Sequence, residues 1–405
     1  MRRYDCPLSP ARRALAAVFA LHGALSGSLA TRLPWIQDHL GLGPGRLGLA
    51  LVFPALGASC AMPLAARLGH RFGSRAALRG LLVLLCAAFA LPALSPGPVV
   101  LCAALAGYGA AAGMVDVVMN ALGVEVEDRL GRSIMSGLHG MWSTGTLAGS
   151  ALGTLAAHHG TDARVHLGLT AAGLALLGPA VCRWVPDVRG GTDAAQDPPP
   201  RFALPPRSAL AIGAVGFCAV FAEGAGLDWS AVYLRRELGA DPGLAAACTT
   251  AFTCTMAAAR LAGDTVVRRF GPVAAVRAGG AVAAAGGALV VTARGPVPAM
   301  AGFALIGLGV AVVVPLVFAA AGRSGPQPAH AIAGVATIVY TSGLVAPAAV
   351  GQLAAATSLS VSFGLVTLLA TGLLLAAGAL RPAGDAPRAV ERARRTRSTA
   401  RGGGP

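Results

Sequence analysis

The chain has no lysine, few aromatic residues and few charges. Aromatic residues make up 5% of the 405 positions and charged residues 12%, against about 25% charged residues in ordinary soluble domains. With 55% hydrophobic residues, the chain has too few polar side chains to cover a soluble surface. The 55 glycines and the many alanines favour helices packed closely in lipid over a soluble core built on large side chains.

The sequence also lacks the short motifs of nucleotide-driven pumps and of common hydrolases. It has no Walker loop, no H-E-x-x-H and no G-x-S-x-G, and its eight cysteines include no C-x-x-C pair. A literal G-x-G-x-x-G at Gly43–Gly48 has proline as its second residue and follows no strand, so it does not indicate dinucleotide binding. We therefore expect no enzyme, no cofactor and no metal site.

All 32 basic residues are arginines, and the formal net charge is +15. The arginines fall between apolar runs and at the C-terminus, and they form no stripe with interleaved aromatic residues. This placement favours contact with anionic lipid head groups over nucleic acid as the partner of the basic charge.

Apolar runs long enough to cross about 30 Å of hydrocarbon recur twelve times along the chain. They predict an all-α integral membrane protein with twelve transmembrane helices. The first run follows two arginines and imitates a signal peptide, but its repetition later in the chain argues against cleavage. The runs cover approximately 12–34, 45–66, 76–94, 98–122, 134–157, 163–184, 208–233, 243–263, 272–292, 296–321, 329–355 and 359–380.

Arginine placement predicts the orientation of these helices. If the N-terminus is inside, 26 of the 32 arginines lie at or near the cytoplasmic side. This bias satisfies the positive-inside rule and places both termini in the cytoplasm, as an even number of crossings requires.

Two halves of the chain repeat each other at an offset of 198 residues. Leu40–Gly45 recurs as Leu238–Gly243, and R-F-G-S-R-A-A-L-R at Arg71–Arg79 recurs as R-F-G-P-V-A-A-V-R at Arg269–Arg277. Because each copy holds six crossings, the repeats are parallel. The sequence predicts a six-helix bundle at 1–185, a cytoplasmic linker at 186–207, a second six-helix bundle at 208–380 and a disordered basic cytoplasmic tail at 381–405.

Two parallel six-helix halves with R-F-G-S-R after the second crossing resemble the major facilitator superfamily of transporters. Within it, four motifs are similar to the YbjJ-type bacterial permeases: R-L-P-W-I at Arg32–Ile36, D-V-V-M-N-A-L-G-V-E-V-E at Asp116–Glu127, S-G-L-H-G-M-W-S at Ser136–Ser143 and E-G-A-G-L-D-W-S-A-V-Y-L at Glu223–Leu234. The resemblance implies a monomeric transporter of the bacterial cytoplasmic membrane, in which two halves rock about a central cavity.

The loop after the second helix departs from the superfamily pattern. His70 stands where an acid normally precedes the basic residue and glycine, so the usual gating contact is in doubt, and Arg260 with Asp264 is an alternative. The residues assigned to the loop motif in the two halves are Arg71, Gly73, Arg75, Arg260, Asp264, Arg269 and Gly271.

Three acids lie within predicted spans: Asp116, Glu223 and Asp228. An ionisable group at membrane depth costs at least about 2.5 kcal/mol on insertion scales, which makes function the default hypothesis. Desolvation favours the protonated acid, so Glu223, near mid-span, is the first candidate for proton coupling. Asp116 and His139 fall at the same depth on consecutive helices and predict a proton relay or an inner gate, with a neutral, hydrogen-bonded Asp116 as the alternative.

Arg32 and Asp228 suggest an outer gate. In the repeat Asp228 lies two residues deeper than Arg32, about 3 Å along the helix axis. Snorkelling of Arg32 to the head groups is the alternative. Further side chains could line a polar cavity, although each alone also fits plain helix packing: His22, Ser26, Asn120, Trp142, Ser143, Trp229, Tyr340 and Thr341.

The leading functional prediction is a secondary active transporter that moves a small solute by alternating access and is coupled to protons. Uptake of a sugar-like solute and export of a small molecule both remain open. An integral-membrane enzyme is a weaker alternative, because the acids are spread over different helices and depths. A membrane sensor without transport activity is the third interpretation.

Overall fold

A computed structural model describes residues 8–131, 134–187, 207–323 and 328–381. These residues form α-helices joined by short connections and three 3-10 turns, and the described part of the chain contains no strand. In chain order the helices are α1 (Leu8–His39), α2 (Pro44–Ala50), α3 (Phe53–Phe72), α4 (Ser74–Ala90), α5 (Pro98–Leu130), α6 (Met135–His158), α7 (Ala163–Val181), α8 (Arg207–Arg236), α9 (Pro242–Phe270), α10 (Pro272–Thr292), α11 (Pro296–Val310), α12 (Val313–Ala321), α13 (Pro328–Ala356) and α14 (Leu359–Ala376).

Eleven spans in the described residues are long and apolar enough to cross a membrane. In this count α2 and α3 form one span, Pro44–Phe72, and α11 and α12 form another, Pro296–Ala321. Helix α6 is the twelfth helix of comparable length, with 24 residues, and it carries several hydroxyl and histidine side chains. Its Ser143, Thr144 and Thr146 hydroxyls donate to carbonyls one turn earlier, which satisfies them inside an apolar environment. The expected twelve-helix, all-α fold is confirmed.

The helices form two bundles with the same internal arrangement. Helix α1 packs on α6, α3 on α5 and α4 on α7, and the same positions in the second half pair α8 with α13, α9 with α11 and α10 with α14. One hydrophobic core lies within residues 11–185 and the other mainly within residues 212–380. The two parallel six-helix repeats are therefore confirmed. The linker beyond residue 187 and the basic tail beyond residue 381 lie outside the described residues.

The repeat extends to the backbone conformation of its turns. Gly41 and Gly239, which are 198 residues apart, have φ angles of 59° and 61°. Gly73 and Gly271, at the same offset, have φ angles of 83° and 80°. Because L-residues with a side chain rarely adopt positive φ, glycine is required at both positions of each pair.

The helix ends form two layers. We call the layer where α1 and α8 end, at His39 and Arg236, the Asp38 end. The layer where α3 and α9 end, at Phe72 and Phe270, is the Arg71 end. Both halves enter from the Arg71 end, because α1 and α8 both run from this layer to the Asp38 end.

Glycines bring α1 and α6 into backbone contact. A Cβ atom on Gly23 or Gly27 would overlap the carbonyl oxygen of Trp142 or Thr146, respectively, and one on Gly145 would overlap that of Ala20. Close approach of this kind holds α6 against α1 and fixes which of its side chains face the other half.

Candidate functional site

An ion pair lies near the middle of the second half. Arg260 on α9 donates from Nη2 to Oε1 of Glu223 on α8 at 2.7 Å, and the two side chains are only 17% and 19% exposed. The Nη1 of Arg260 donates to Ser143 Oγ on α6 at 2.9 Å. Since α6 belongs to the first half, this guanidinium joins the two halves at the level of a membrane-embedded acid.

A break in a neighbouring helix supplies the third partner of Arg260. The Nε of Arg260 donates to the carbonyl of Ala311, at 3.3 Å, between α11 and α12. Pro315 is four residues further along and has no N–H, so it cannot make the helical hydrogen bond to that carbonyl. The proline therefore leaves the Ala311 carbonyl free to accept from Arg260.

Asp116 and His139 do not pair in this structure. The Asp116 carboxylate accepts from the side-chain amide of Asn120, at 3.0 Å. The exposed ring of His139 packs edge-on against Phe19, with ring centroids 5.4 Å apart. Asp116 instead lies within electrostatic reach of Tyr340 on α13 of the other half.

Tyr340 marks an open space between the halves. Its side chain is 66% exposed although it faces the opposite bundle. Thr341, beside it, is also exposed and bonds to the Thr337 carbonyl one turn earlier. The two halves are therefore apart at this level, and the space between them is the central cavity.

The first half supplies an aromatic and hydroxyl wall. The indole Nε1 of Trp142 donates to Nδ1 of the buried His22 at 3.0 Å. One turn along α1, Ser26 Oγ lies 3.4 Å from the hydroxyl of Tyr108 on α5. These contacts bring the predicted residues His22, Ser26 and Trp142 together, and they add Tyr108, which the sequence analysis did not select.

Arg32 and Asp228 do not contact each other in this structure, because each side chain has other neighbours. Arg32 is 3% exposed, and its guanidinium donates to the Thr161 carbonyl in the turn between α6 and α7, so it stays within its own half and does not snorkel. Asp228 lies within electrostatic reach of Tyr108 instead. Trp229, next along the chain, is fully buried in the core of the second half.

A different ion cluster joins α1 to α8 at the Asp38 end. Asp38 accepts from Arg235 at 3.2 Å and from Arg236 at 3.0 Å. Gln37 accepts from Arg236 at 3.3 Å. This cluster was not predicted from the sequence, although residues 38 and 236 are equivalent positions of the repeat at the offset of 198.

Further contacts close the same end of the cavity. Ser150 on α6 bonds to Thr253 on α9 at 2.9 Å, and Thr154 bonds to Thr250 at 2.8 Å. Helices α2 and α13 approach so closely that a Cβ on Gly48 would come 2.8 Å from the Gly351 Cα. In this structure the halves are thus in contact at the Asp38 end and separated at the level of Tyr340.

The loop motif has a structural partner at the end of the first half. Arg75 donates from its backbone N–H to Asp187 at 3.3 Å and from Nε to the Val185 carbonyl at 2.7 Å. A Cβ on Gly73 would come 2.7 Å from the Asp187 carboxylate, so glycine also gives space here. The loop before α4 is therefore tied to the chain that follows α7.

In both copies of the loop motif an arginine lies over the ring of the phenylalanine that follows it. Arg260 has a different partner and does not pair with Asp264 in the described residues. Arg71 lies over the ring of Phe72 at 5.3 Å, and Arg269 lies over Phe270 at 5.6 Å. Asp264 is exposed near the Arg71 end, whereas Arg260 points to Glu223.

Comparison with known proteins identifies the family. The model of the Major Facilitator Superfamily matches residues 15–344. The chain belongs to this family, which is a family of transporters and not an enzyme class.

Three bacterial relatives are similar over nearly the whole chain. An uncharacterised transporter of Sinorhizobium fredii, y4wD, is 34% identical over 361 residues, covering 88% of this chain and 95% of the relative. An uncharacterised MFS-type transporter of Yersinia pestis is 34% identical over 358 residues, covering 87% and 91%. The membrane protein MosC of Rhizobium meliloti is 30% identical over 369 residues, covering 89% and 87%.

Solved transporters share the fold. The nucleoside transporter NupG superimposes with a TM-score of 0.74 at 13% identity, covering 91% of this chain and 99% of that one. An inward-facing bacterial homologue of the human lysosomal transporter Spinster gives 0.72 at 12% identity, covering 92% and 97%. Together with the family match, the apolar helices make the chain a multi-pass membrane transporter of this superfamily.

Proposed function

We propose that this protein is a proton-coupled secondary transporter that carries a small polar solute by alternating access, with Glu223 as the proton-binding group. The observation that carries the proposal is the Glu223–Arg260 pair, whose arginine also bonds to Ser143 of the other half. A membrane-embedded carboxylate with one cationic partner can change its protonation during transport, and Arg260 conveys that change across the halves.

The coupling step follows from the contacts of Arg260. Protonation of Glu223 removes its charge and weakens its bond to Nη2, while the bonds to Ser143 and the Ala311 carbonyl remain. Of the other ionisable groups, His139 on α6 also lies within reach of the Arg260 charge. We propose that release of Glu223 lets α8 move relative to α6 and α9, which changes the end to which the cavity opens.

We propose that both termini lie in the cytoplasm and that the protein is a monomer of the bacterial inner membrane. The support for this orientation is the excess of arginine at the Arg71 end. In this orientation the contacts between Asp38 and Arg235 and Arg236 close the outer side, and the cavity at Tyr340 opens inward.

The solute is proposed to be sugar-like for uptake or a small polar molecule for export. The supporting features are the Ser26 and Tyr108 hydroxyls and the half-buried ring of Trp142 in the first half, and the exposed Thr341 on α13 of the second half. Hydroxyls and an aromatic face suit a solute with several polar groups better than a purely apolar one.

A tracer panel tests the proposal. Cells that lack the gene are compared with cells that express the chain, for a set of labelled small solutes, with and without a protonophore. We expect a solute whose accumulation or expulsion depends on the chain and is lost when the protonophore removes the proton gradient. Glu223→Gln is expected to retain exchange of labelled for unlabelled solute but to lose transport against a gradient.

Glu125→Gln serves as the matched control, because Glu125 is a surface residue of α5 that pairs with Arg129 one turn away. It should behave like the wild type. Net transport that is unaffected by the protonophore would refute proton coupling, and wild-type concentrating transport in Glu223→Gln would refute the role of this residue.

A further inference from the structure

Asp228 is a membrane-embedded acid without a partner. Among the residues that the structure describes, it forms no hydrogen bond and no ion pair. The other two acids within the spans differ, because Glu223 binds Arg260 and Asp116 binds Asn120. A carboxylate left without a partner at membrane depth is costly, so its retention calls for a ligand or a proton.

Asp228 faces the open space between the halves. Gly224 lies one turn before it on the same face of α8, and a Cβ on Gly224 would meet no atom within 4 Å. On the opposite side stand Tyr108, within electrostatic reach of Asp228, and Ser26, 3.4 Å from the Tyr108 hydroxyl. The Asp228 carboxylate therefore lies across the cavity from two hydroxyl groups of the other half.

No described cation of the cavity is available to neutralise Asp228. Arg260 is occupied by Glu223, Ser143 and the Ala311 carbonyl. The Nδ1 of His22 accepts a hydrogen bond from Trp142, so this atom carries no proton and the imidazole is neutral.

The other ionisable groups at the cavity, Asp116 and His139, do not offset the negative charge of Asp228. Asp116 brings a second carboxylate whose bonding partner, Asn120, is uncharged. His139 lies beside the Phe19 ring and within reach of the Arg260 charge. The described cavity thus holds more carboxylates than cations.

We propose that Asp228 binds the protonated amino group of the transported solute, with the Tyr108 and Ser26 hydroxyls accepting or donating hydrogen bonds beside it. The solute class is a small, hydroxyl-bearing ammonium compound. This inference rests on the proposed transport function and narrows its substrate, while it leaves proton coupling to Glu223. It reassigns Asp228 from the outer gate to the solute site.

Charge-selective labelling tests this site without knowledge of the natural solute. The full chain, with its native cysteines replaced and Gly224→Cys introduced, is reacted in membrane vesicles with a cationic and with an anionic methanethiosulfonate, the trimethylammonium and the sulfonate reagents. Each rate is divided by the rate of the same reagent with 2-mercaptoethanol. We expect the normalised cationic rate to exceed the anionic rate at least tenfold and to saturate with reagent concentration, because the ammonium group binds Asp228 before the thiol reacts.

Asp228→Asn in the same background is expected to remove both the preference and the saturation. Glu125→Gln, which changes an exposed acid that pairs with Arg129 on α5, should leave both unchanged. Equal normalised rates, or a cationic rate that rises linearly without saturation, would overturn the proposal. A preference that survives Asp228→Asn would overturn the assignment to this residue.

The labelling result is independent of proton coupling. Glu223→Gln is expected to keep the Asp228-dependent preference even where it loses transport against a gradient. If transport proves to be uncoupled from protons while the labelling preference depends on Asp228, the proposed coupling fails and the ammonium site stands. If transport proves to be coupled to protons while the labelling shows no Asp228-dependent preference, the ammonium site fails and the proposed coupling stands.

Discussion

Arg260 brings together three partners from three other parts of the fold through one guanidinium group. It bonds to Glu223 on α8, Ser143 on α6 and the Ala311 carbonyl between α11 and α12. Lysine could not replace it, because a single ammonium group has neither the planar shape nor the separated N–H groups that reach three directions. The residue lies ten positions before the end of α9, about 15 Å along the helix axis.

Removal of one member of this pair should be worse for stability than removal of both. In Arg260→Gln the largely buried Glu223 carboxylate loses its cationic partner. Removal of one partner of a buried ion pair lowers the free energy of unfolding by about 3 kcal/mol. We expect the double variant Arg260→Gln with Glu223→Gln to unfold at a higher temperature than Arg260→Gln alone.

Thermal unfolding of the purified protein in detergent measures this difference. Arg129→Gln, which breaks an exposed pair with Glu125, is the control and should shift the midpoint little. A double variant that is as unstable as the sum of both single variants would show that the two side chains do not interact.

The helix break between α11 and α12 gives Arg260 one of its three hydrogen-bond acceptors. It occurs four residues before Pro315, at the place where the missing N–H leaves the Ala311 carbonyl without a helical donor. An uninterrupted α-helix at this position would use that carbonyl internally. The break therefore supplies an acceptor that Arg260 needs for its orientation.

Pro315→Ala should lower transport without lowering stability. Alanine restores an N–H that can bond to the Ala311 carbonyl, so that α11 and α12 can continue as one helix. We expect a midpoint of thermal unfolding equal to or above that of the wild type, together with a severalfold loss of transport rate.

Pro179→Ala gives the matched control, because Pro179 also lies inside a helix, the peripheral α7. It should leave the transport rate near the wild-type value. Transport by Pro315→Ala that equals that of Pro179→Ala would mean that the break does not position Arg260.

The two halves of the protein meet along one end and separate along the other. The Asp38 cluster, the hydroxyl contacts between α6 and α9 and the glycine contact between α2 and α13 all lie toward the Asp38 end. Short polar contacts and small residues can be broken and reformed at little cost, which suits a surface that must open during each transport cycle.

Gly351→Leu should prevent closure of the Asp38 end. Gly351 packs against the backbone of Gly48, so a larger side chain forces α2 and α13 apart, at an overpacking cost of about 1–3 kcal/mol. We expect transport to be lost and a cysteine introduced at Thr154 to react faster with a water-soluble thiol reagent.

Gly343→Leu, two turns earlier on α13, provides the comparison. A Cβ at Gly343 would meet no atom within 4 Å, so this variant should not open the Asp38 end. Equal reactivity of the Thr154 cysteine in the two variants would contradict the role of the Gly48–Gly351 contact in closure.

The apolar periodicity and the internal repeat were sufficient to predict the helices, their number and their division into two parallel bundles. Length and hydropathy are local properties of a segment, and a membrane requires its helices to satisfy their own backbone hydrogen bonds. The repeated glycines at 41 and 239 could also be matched from the sequence, because a turn with positive φ is a local property of the chain.

Which polar groups meet depends on how the helices pack in three dimensions. Helical spacing and depth predicted Asp116 beside His139 and Arg32 beside Asp228, whereas the structure brings Arg260 to Glu223 and Arg235 and Arg236 to Asp38. Depth along a helix follows from the sequence, but the direction of a side chain around the helix axis is set by neighbouring helices. In this protein those neighbours often come from the other half, more than 100 residues away along the chain.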